Sequence, residues 1–375
     1  MKSLFPNRPH ITDLDELYVL FKEARKKAIG YPLNAYFDNE PIKKFMDFHI
    51  NNCGDPFEDS SFYRLNTHRF EKELITYYAD RFNIQQGYWG YVTNGGSEGN
   101  LYGMYLGREK CPGAICYFSD QCHYSVEKNA RLLGLPYKVI PSLENGEIDY
   151  SALNQALSED QQFSAIVVAT IGTTMLGAID SVPKIEQALT ENQKKLSYIH
   201  CDAAFFGILL NTIEAPICKE FDFRQGIDSI SCSGHKTIGT PIPCGIVIVK
   251  KENADRITYK VEYTNSQDNT ISGSRNGITP LLMWYEMQQD KKNPGALKQA
   301  LKDCYKLADY AVDTLNNNGC KAWRNPYSNI VVFDKGKMEV IKKWQLATEG
   351  KYSHLIIMPQ VKKDIIDQFV EELCQ

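Results

Sequence analysis

The chain has 375 residues, with 42 Lys and Arg against 46 Asp and Glu for a formal net charge of -4. That balance leaves no basic excess for a nucleic-acid footprint, and 43% hydrophobic with 23% charged residues excludes a disordered or collagen-like chain. At roughly one domain per 150 residues the length allows two to three units around a large core.

Residues 1–14 interrupt their apolar positions with Lys, Asn, Arg, Pro and His. They read as neither a secretory h-region nor a span of about 18 apolar residues, so no targeting segment and no membrane association are expected. From Asp13 to Ala28 the residues Leu14, Leu17, Tyr18, Phe21 and Ala24 recur at helical spacing, which predicts an amphipathic helix. We assign residues 1–50 to an N-terminal helical arm. Residues 31–61, rich in Pro, Asn, Gly and aromatics, read as a loop wrapped around a larger body.

The middle of the chain alternates β-branched runs with helical stretches: strand 114–118, helix 124–133, strand 165–169, helix 182–196, strand 196–201, with the run 245–249 completing the set. Such alternation predicts an α/β fold, a mostly parallel sheet between helices, here given the bounds 51–255. Beyond about residue 255 the rhythm changes to a long helical pattern over 281–316, short strands at 329–333 and 354–358, and a terminal helix from Val361. That predicts a smaller C-terminal α+β domain over 256–375. Eleven cysteines without a C-x-x-C pair, beside seven histidines, offer no metal cage. They fit a reducing cytoplasm, where buried cysteines act as small hydrophobes.

Four places can carry chemistry. Gly95, Gly96 and Ser97 sit between a possible strand end and a helical pattern through Leu106, where a glycine turn and free helix-start N–H groups suit an anion such as a phosphate. The adjacent glycines match neither a dinucleotide nor a P-loop signature, and Gly99, Gly103 and Gly107 form a small-residue stripe suited to close packing. Asp202 follows the strand 196–201, where open α/β sheets present ligands. Ser233, Gly234, His235 and Lys236 end another strand, and a lysine held there can lose its proton and form a Schiff base with an aldehyde. His123 opens a helix a few residues beyond the strand 114–118. Taken alone, each has a structural explanation: a turn, a cap, a surface lysine, a structural histidine. Together an anion-binding helix start, a carboxylate, a lysine and an imidazole are the parts that hold pyridoxal phosphate (pyridoxal 5'-phosphate).

At this point the chain resembles the group II pyridoxal-phosphate decarboxylases, in the branch of bacterial histidine decarboxylases and plant serine decarboxylases. The matching segments are 51–55, 89–100, 123–126, 171–174, 202–204, 231–236 and 273–277. The resemblance implies a pyridoxal-phosphate-dependent transferase fold of type I and a homodimer or higher homo-oligomer with sites at the subunit interface. By the same resemblance Lys236 takes the cofactor aldehyde, His123 stacks on the ring, Asp202 pairs with the pyridine nitrogen, Gly96, Ser97, Ser233 and His235 hold the phosphate, and Thr174 lies against the ring. Tyr263 falls where relatives carry a mobile loop whose tyrosine helps return a proton. The implied reaction is α-decarboxylation of a small L-amino acid, with L-histidine to histamine as the first reading and L-serine to ethanolamine as the second. Segments 65–67 and 70–73 look like the histidine enzymes, whereas 54–57, 344–347 and 357–359 look like the serine branch. Ile278 departs from both, which carry His there. An aminotransferase on the same fold and a non-catalytic scaffold are the rivals from other classes.

Overall fold

The structure, a computed structural model, describes residues 12–58 and 62–374. Seven strands form the main sheet: β1 (Tyr88–Thr93), β2 (Ile115–Ser119), β3 (Tyr137–Ile140), β4 (Ser164–Thr170), β5 (Leu196–Asp202), β6 (Ser229–Ser233) and β7 (Gly245–Lys250). Their spatial order is β1-β7-β6-β5-β4-β2-β3. The α/β fold expected from the alternation is present. The inner strands are buried almost throughout; β4 accordingly reads as an unbroken apolar run, whereas β5 and β6 carry His200 and serines in equally buried positions. β7 departs from expectation in one respect: it lies inside the sheet and runs antiparallel to both β1 and β6. β3 escapes the periodicity because its four residues mix Lys138 with apolar neighbours and pair only with β2. The helix expected over 182–196 ends at Glu191, and Gln193 with φ 53° turns the chain into β5.

The small-residue stripe has the packing role its spacing suggests. The helix Gly96–Lys110 lies on the sheet, and a Cβ at Gly103 would sit 2.2 Å from Nδ1 of His200, whereas one at Gly107 would sit 3.2 Å from Tyr198. At Gly103 the helix backbone therefore meets a β5 side chain at a distance only glycine permits, and at Gly107 the contact is tight.

Two of the resemblance segments that carry no expected chemistry form a buried clasp. Asn51 and Asn276 bridge, and Asn52 N–H donates to the Arg275 carbonyl at 2.9 Å. The Arg275 guanidinium pairs with Glu71, and both side chains are almost fully buried. Glu71 also accepts from Asn52 Nδ2 at 2.8 Å and from the Val92 N–H at 2.7 Å. Removing one member of a buried pair strands the other charge, so Arg275→Met is expected to cost about 3–5 kcal/mol of stability. Urea unfolding measures it, and a loss under about 1 kcal/mol would show the pair to be dispensable.

Past the sheet, β8 (Tyr259–Val261) and β9 (Ser266–Asp268) form a hairpin, and β10 (Ala322–Trp323), β11 (Ile330–Asp334), β12 (Ala347–Glu349) and β13 (Tyr352–Ile356) form an antiparallel sheet in the order β10-β11-β13-β12. The single helical pattern expected over 281–316 is two helices, Ile278–Lys292 and Ala296–Asn317, because Pro294 and the left-handed Gly295 break it. The second helix and Lys363–Leu373 cover the small sheet around Trp344, Phe333 and Phe369. The N-terminal helix Thr12–Arg25 forms as expected and leaves Leu14, Leu17, Tyr18 and Phe21 exposed. The reading of residues 1–11 as free of a targeting segment lies outside the described residues, as does the end of the expected loop at 59–61. No described helix is long and apolar enough to cross a membrane.

Six of the cysteines are buried with free thiols, as small hydrophobes would be. Cys320 and Cys374 depart from that expectation: they are joined as a disulfide, with their Cα atoms 6.5 Å apart.

Candidate active site

The strands β1, β2, β4, β5 and β6 end on one edge of the sheet, and β7 begins there. Their ends are in register: Thr170 pairs with Asp202, Asp202 with Ser231, and Ser233 with Gly245. A cavity of about 930 Å³ opens over this edge, with the small sheet as its far wall through Ile330, Ala347, Glu349, His354 and Ile356. Gly95, Gly96, Ser97, His123, Thr174, Asp202, Ser233, His235 and Lys236 all line it. These residues converge because each is the last residue of a strand, as Asp202 and Ser233 are, or stands two to four residues past a strand end. A second cleft of about 1010 Å³ over the helix His68–Arg81 holds none of them.

At the first corner, Gly95 takes φ 137°, open only to glycine, and the helix Gly96–Lys110 starts without any side-chain cap. Ser97 is thus inside the first turn and does not cap it. A Cβ at Gly96 would sit 3.1 Å from Ser233 Oγ and one at Gly95 3.7 Å from His235 Cε1. The helix start, Ser233 and His235 consequently surround one space. The His235 Nδ1–H donates to the Cys244 carbonyl at 2.9 Å, which fixes the ring.

On the opposite side, Asp202 is only 4% exposed. Its Oδ2 accepts from Asn100 Nδ2 at 2.7 Å and its Oδ1 from the Ala204 N–H at 3.2 Å. Lys236 follows β6 in the short helix Gly234–Thr237. Burial lowers its amine pKa, with the Asp202 charge working against that shift. His123 is held by the Ser125 N–H, which donates to Nδ1 at 3.3 Å, so Nε2 carries the proton in the neutral ring. Burial lowers the His123 pKa, Asp202 opposes this, and Lys236 adds to it. Neutral imidazole is the form these surroundings favour.

Does this cavity suit pyridoxal phosphate? Three features of the structure answer. The uncapped helix start beside Ser233 and His235 is a cradle for a dianionic group. The Thr170 hydroxyl is buried on the cavity wall with no partner, a donor awaiting an acceptor. Asp202 and Lys236 supply a carboxylate for a ring cation and an amine for an aldehyde. The residues fit the group.

Tyr263 is not brought to this cavity. The hairpin of β8 and β9 carries it outward on the turn Glu262–Thr264, where it is 86% exposed, and the expected loop is this hairpin. Among residues the sequence reading left without a role, Asn100 has a detectable signal: it falls within the glycine stripe facing the sheet. His354 has none. It comes from β13 and lies 3.0 Å from the Met175 carbonyl and 3.1 Å from that of Gly30, joining three walls of the cavity.

Known proteins resemble the chain over most of its length. The pyridoxal-dependent decarboxylase conserved domain matches residues 85–321. Histidine decarboxylase of Vibrio campbellii is 43% identical over 367 residues, spanning 97% of this chain and 94% of that protein. Histidine decarboxylase of Acinetobacter baumannii (strain ACICU) is 46% identical over 331 residues, 88% and 85% of the two. Among solved structures, L-methionine decarboxylase of Streptomyces sp. 590 superposes with a TM-score of 0.85 at 23% identity, covering 97% of this chain and 94% of that one. Glutamate decarboxylase of Lactobacillus brevis gives 0.79 at 16% identity, covering 98% and 92%. These two share the fold.

Proposed function

Because the chain belongs to the pyridoxal-dependent decarboxylase family, we propose that this carboxy-lyase acts on L-histidine and releases histamine and CO2. The observation that carries the substrate is the 43% identity to a histidine decarboxylase along 97% of the chain. A cavity of about 930 Å³ also leaves room for an imidazole beside the cofactor.

Bound pyridoxal phosphate supplies an electron sink for the pair left on the α-carbon as CO2 departs. The chain's own residues do the rest. Gly95, Gly96 and Ser97 at the helix start, with Ser233 and His235, hold the phosphate. The Lys236 amine would take the aldehyde, Asp202 would balance positive charge at the pyridine nitrogen, and His123 and Thr174 would border the ring. With the cofactor held this way, the chain's own residues would orient the substrate for loss of CO2 rather than for transamination. The site is proposed to be completed in a cytoplasmic homodimer, by analogy with the fold. Tyr263, remote from its own cavity, would then return a proton in the other copy. The division at 50 and 255 into arm, cofactor-binding domain and small domain belongs to the same proposal.

Incubating the protein with pyridoxal phosphate and each L-amino acid in turn tests this reading. Histamine and CO2 from L-histidine are expected. Ethanolamine from L-serine as the main product would move the assignment to the serine reading, and a keto acid without CO2 would replace it with transamination.

A further inference from the structure

A continuous chain of buried side chains stands behind Asp202. Asn100, 1% exposed on the helix Gly96–Lys110, donates from Nδ2 to Asp202 Oδ2 at 2.7 Å. Its Oδ1 accepts from Ser231 Oγ at 2.6 Å and lies 3.0 Å from His200 Nε2. His200, fully buried, lies 2.7 Å from Ser229 Oγ through Nδ1. The amide can face only one way, because reversing it would set Oδ1 against a carboxylate oxygen. With Oδ1 as an acceptor, His200 must carry its proton on Nε2, and the Ser229 hydroxyl donates to Nδ1. Burial drives the His200 pKa down to about 4 despite Asp202, so the ring stays neutral in ordinary buffers. Space for the ring exists only because residue 103 is glycine.

We infer that Asn100 and His200 are positioning residues for Asp202: His200 and Ser231 fix the Asn100 amide, and Asn100 fixes the carboxylate that meets the cofactor's pyridine nitrogen. This rests on the proposed role of Asp202. The physical basis is that outer hydrogen-bond partners set the orientation of the group that touches the ligand. His200 and Asp202 are two residues apart on β5 and so share a face, while Asn100 reaches both from the helix above.

The test compares Asn100→Leu, His200→Leu, His200→Gln and Asp202→Asn by affinity for pyridoxal phosphate and by kcat and KM of the loaded enzyme. For Asn100→Leu, affinity and kcat are each expected to fall by about 10- to 100-fold with KM little changed. His200→Leu is expected to lose about tenfold in both. His200→Gln, which keeps a donor for Asn100 Oδ1, is expected to recover most of that loss. A folded Asn100→Leu protein with unchanged affinity and kcat would overturn the inference. So would equal losses in the two His200 variants, which is what mere cavity formation predicts, and this pair decides the matter if Asn100→Leu does not fold. Should Asp202→Asn also behave like the unsubstituted protein, the role of Asp202 fails; if it alone is impaired, only the positioning chain fails.

Discussion

Replacing Lys236 with alanine is expected to abolish the visible absorbance of bound cofactor and to lower turnover by at least about 10³-fold. An amine attacks an aldehyde only when unprotonated, and an exposed lysine at neutral pH is almost entirely ammonium. Lys236 differs because burial lowers its pKa. It also lies among the cavity-lining residues with the helix start, His123 and Asp202, so under the proposed function all of them would address one molecule. Alanine is expected to keep the fold, since among the described residues the Lys236 side chain makes no hydrogen bond, and to retain the cradle. Some cofactor should still bind through its phosphate, but without the absorbance of the lysine-linked form. Spectra and steady-state turnover of purified Lys236→Ala measure both effects; a coloured, active variant would remove Lys236 from the chemistry.

For Asp202→Asn the expected result is a protein that still binds pyridoxal phosphate, less tightly, and loses on the order of 10²- to 10³-fold in turnover. Asparagine is nearly the same shape, so packing at the end of β5 survives. On the proposed role, what disappears is the negative charge that would face the nitrogen carrying positive charge when the ring draws electrons. A second consequence follows with a definite sign. Asp202 raises the Lys236 pKa against the lowering by burial, so removing the charge lowers that pKa further. The free amine of the cofactor-free variant should therefore persist to lower pH than in the unsubstituted protein, measurable as the pH dependence of its labelling by an amine reagent. Unimpaired turnover would refute the charge argument, and an upward move of the labelling profile would refute the electrostatic link to Lys236.

Much of this arrangement is legible in the sequence because strand ends are where chemistry-bearing residues stand out. Asp202 closes β5, His123 stands four residues past β2, and Lys236 stands three past β6, whose end is marked by small polar residues. Gly95 and Gly96 announce a turn, at which the φ of Gly95 is open only to glycine, and the stripe at Gly99, Gly103 and Gly107 announces contact with the sheet. What stays hidden depends on long-range packing. Nothing local to Arg275 says that Glu71 waits for it across 204 residues of chain, and nothing near His354 points to the carbonyls of Met175 and Gly30. Asn100 and His200 sit inside segments whose resemblance is plain, yet their mutual contact exists only once a helix is laid on a strand. The hairpin that exposes Tyr263 has strands of three residues each, one of them wholly polar, too short for an alternation to mark it. The break between the two long helices is the opposite case: Pro294 and Gly295 mark it locally, and the apolar periodicity on either side masks it.

The proposed chemistry depends most on the amine of Lys236 holding the cofactor in the resting protein. Borohydride reduction of protein loaded with pyridoxal phosphate, followed by proteolysis and mass spectrometry, addresses this directly. A phosphopyridoxyl mass on the peptide containing Lys236 is the result predicted. An adduct confined to other lysines, or none at all in protein that releases amine from L-histidine, would contradict it.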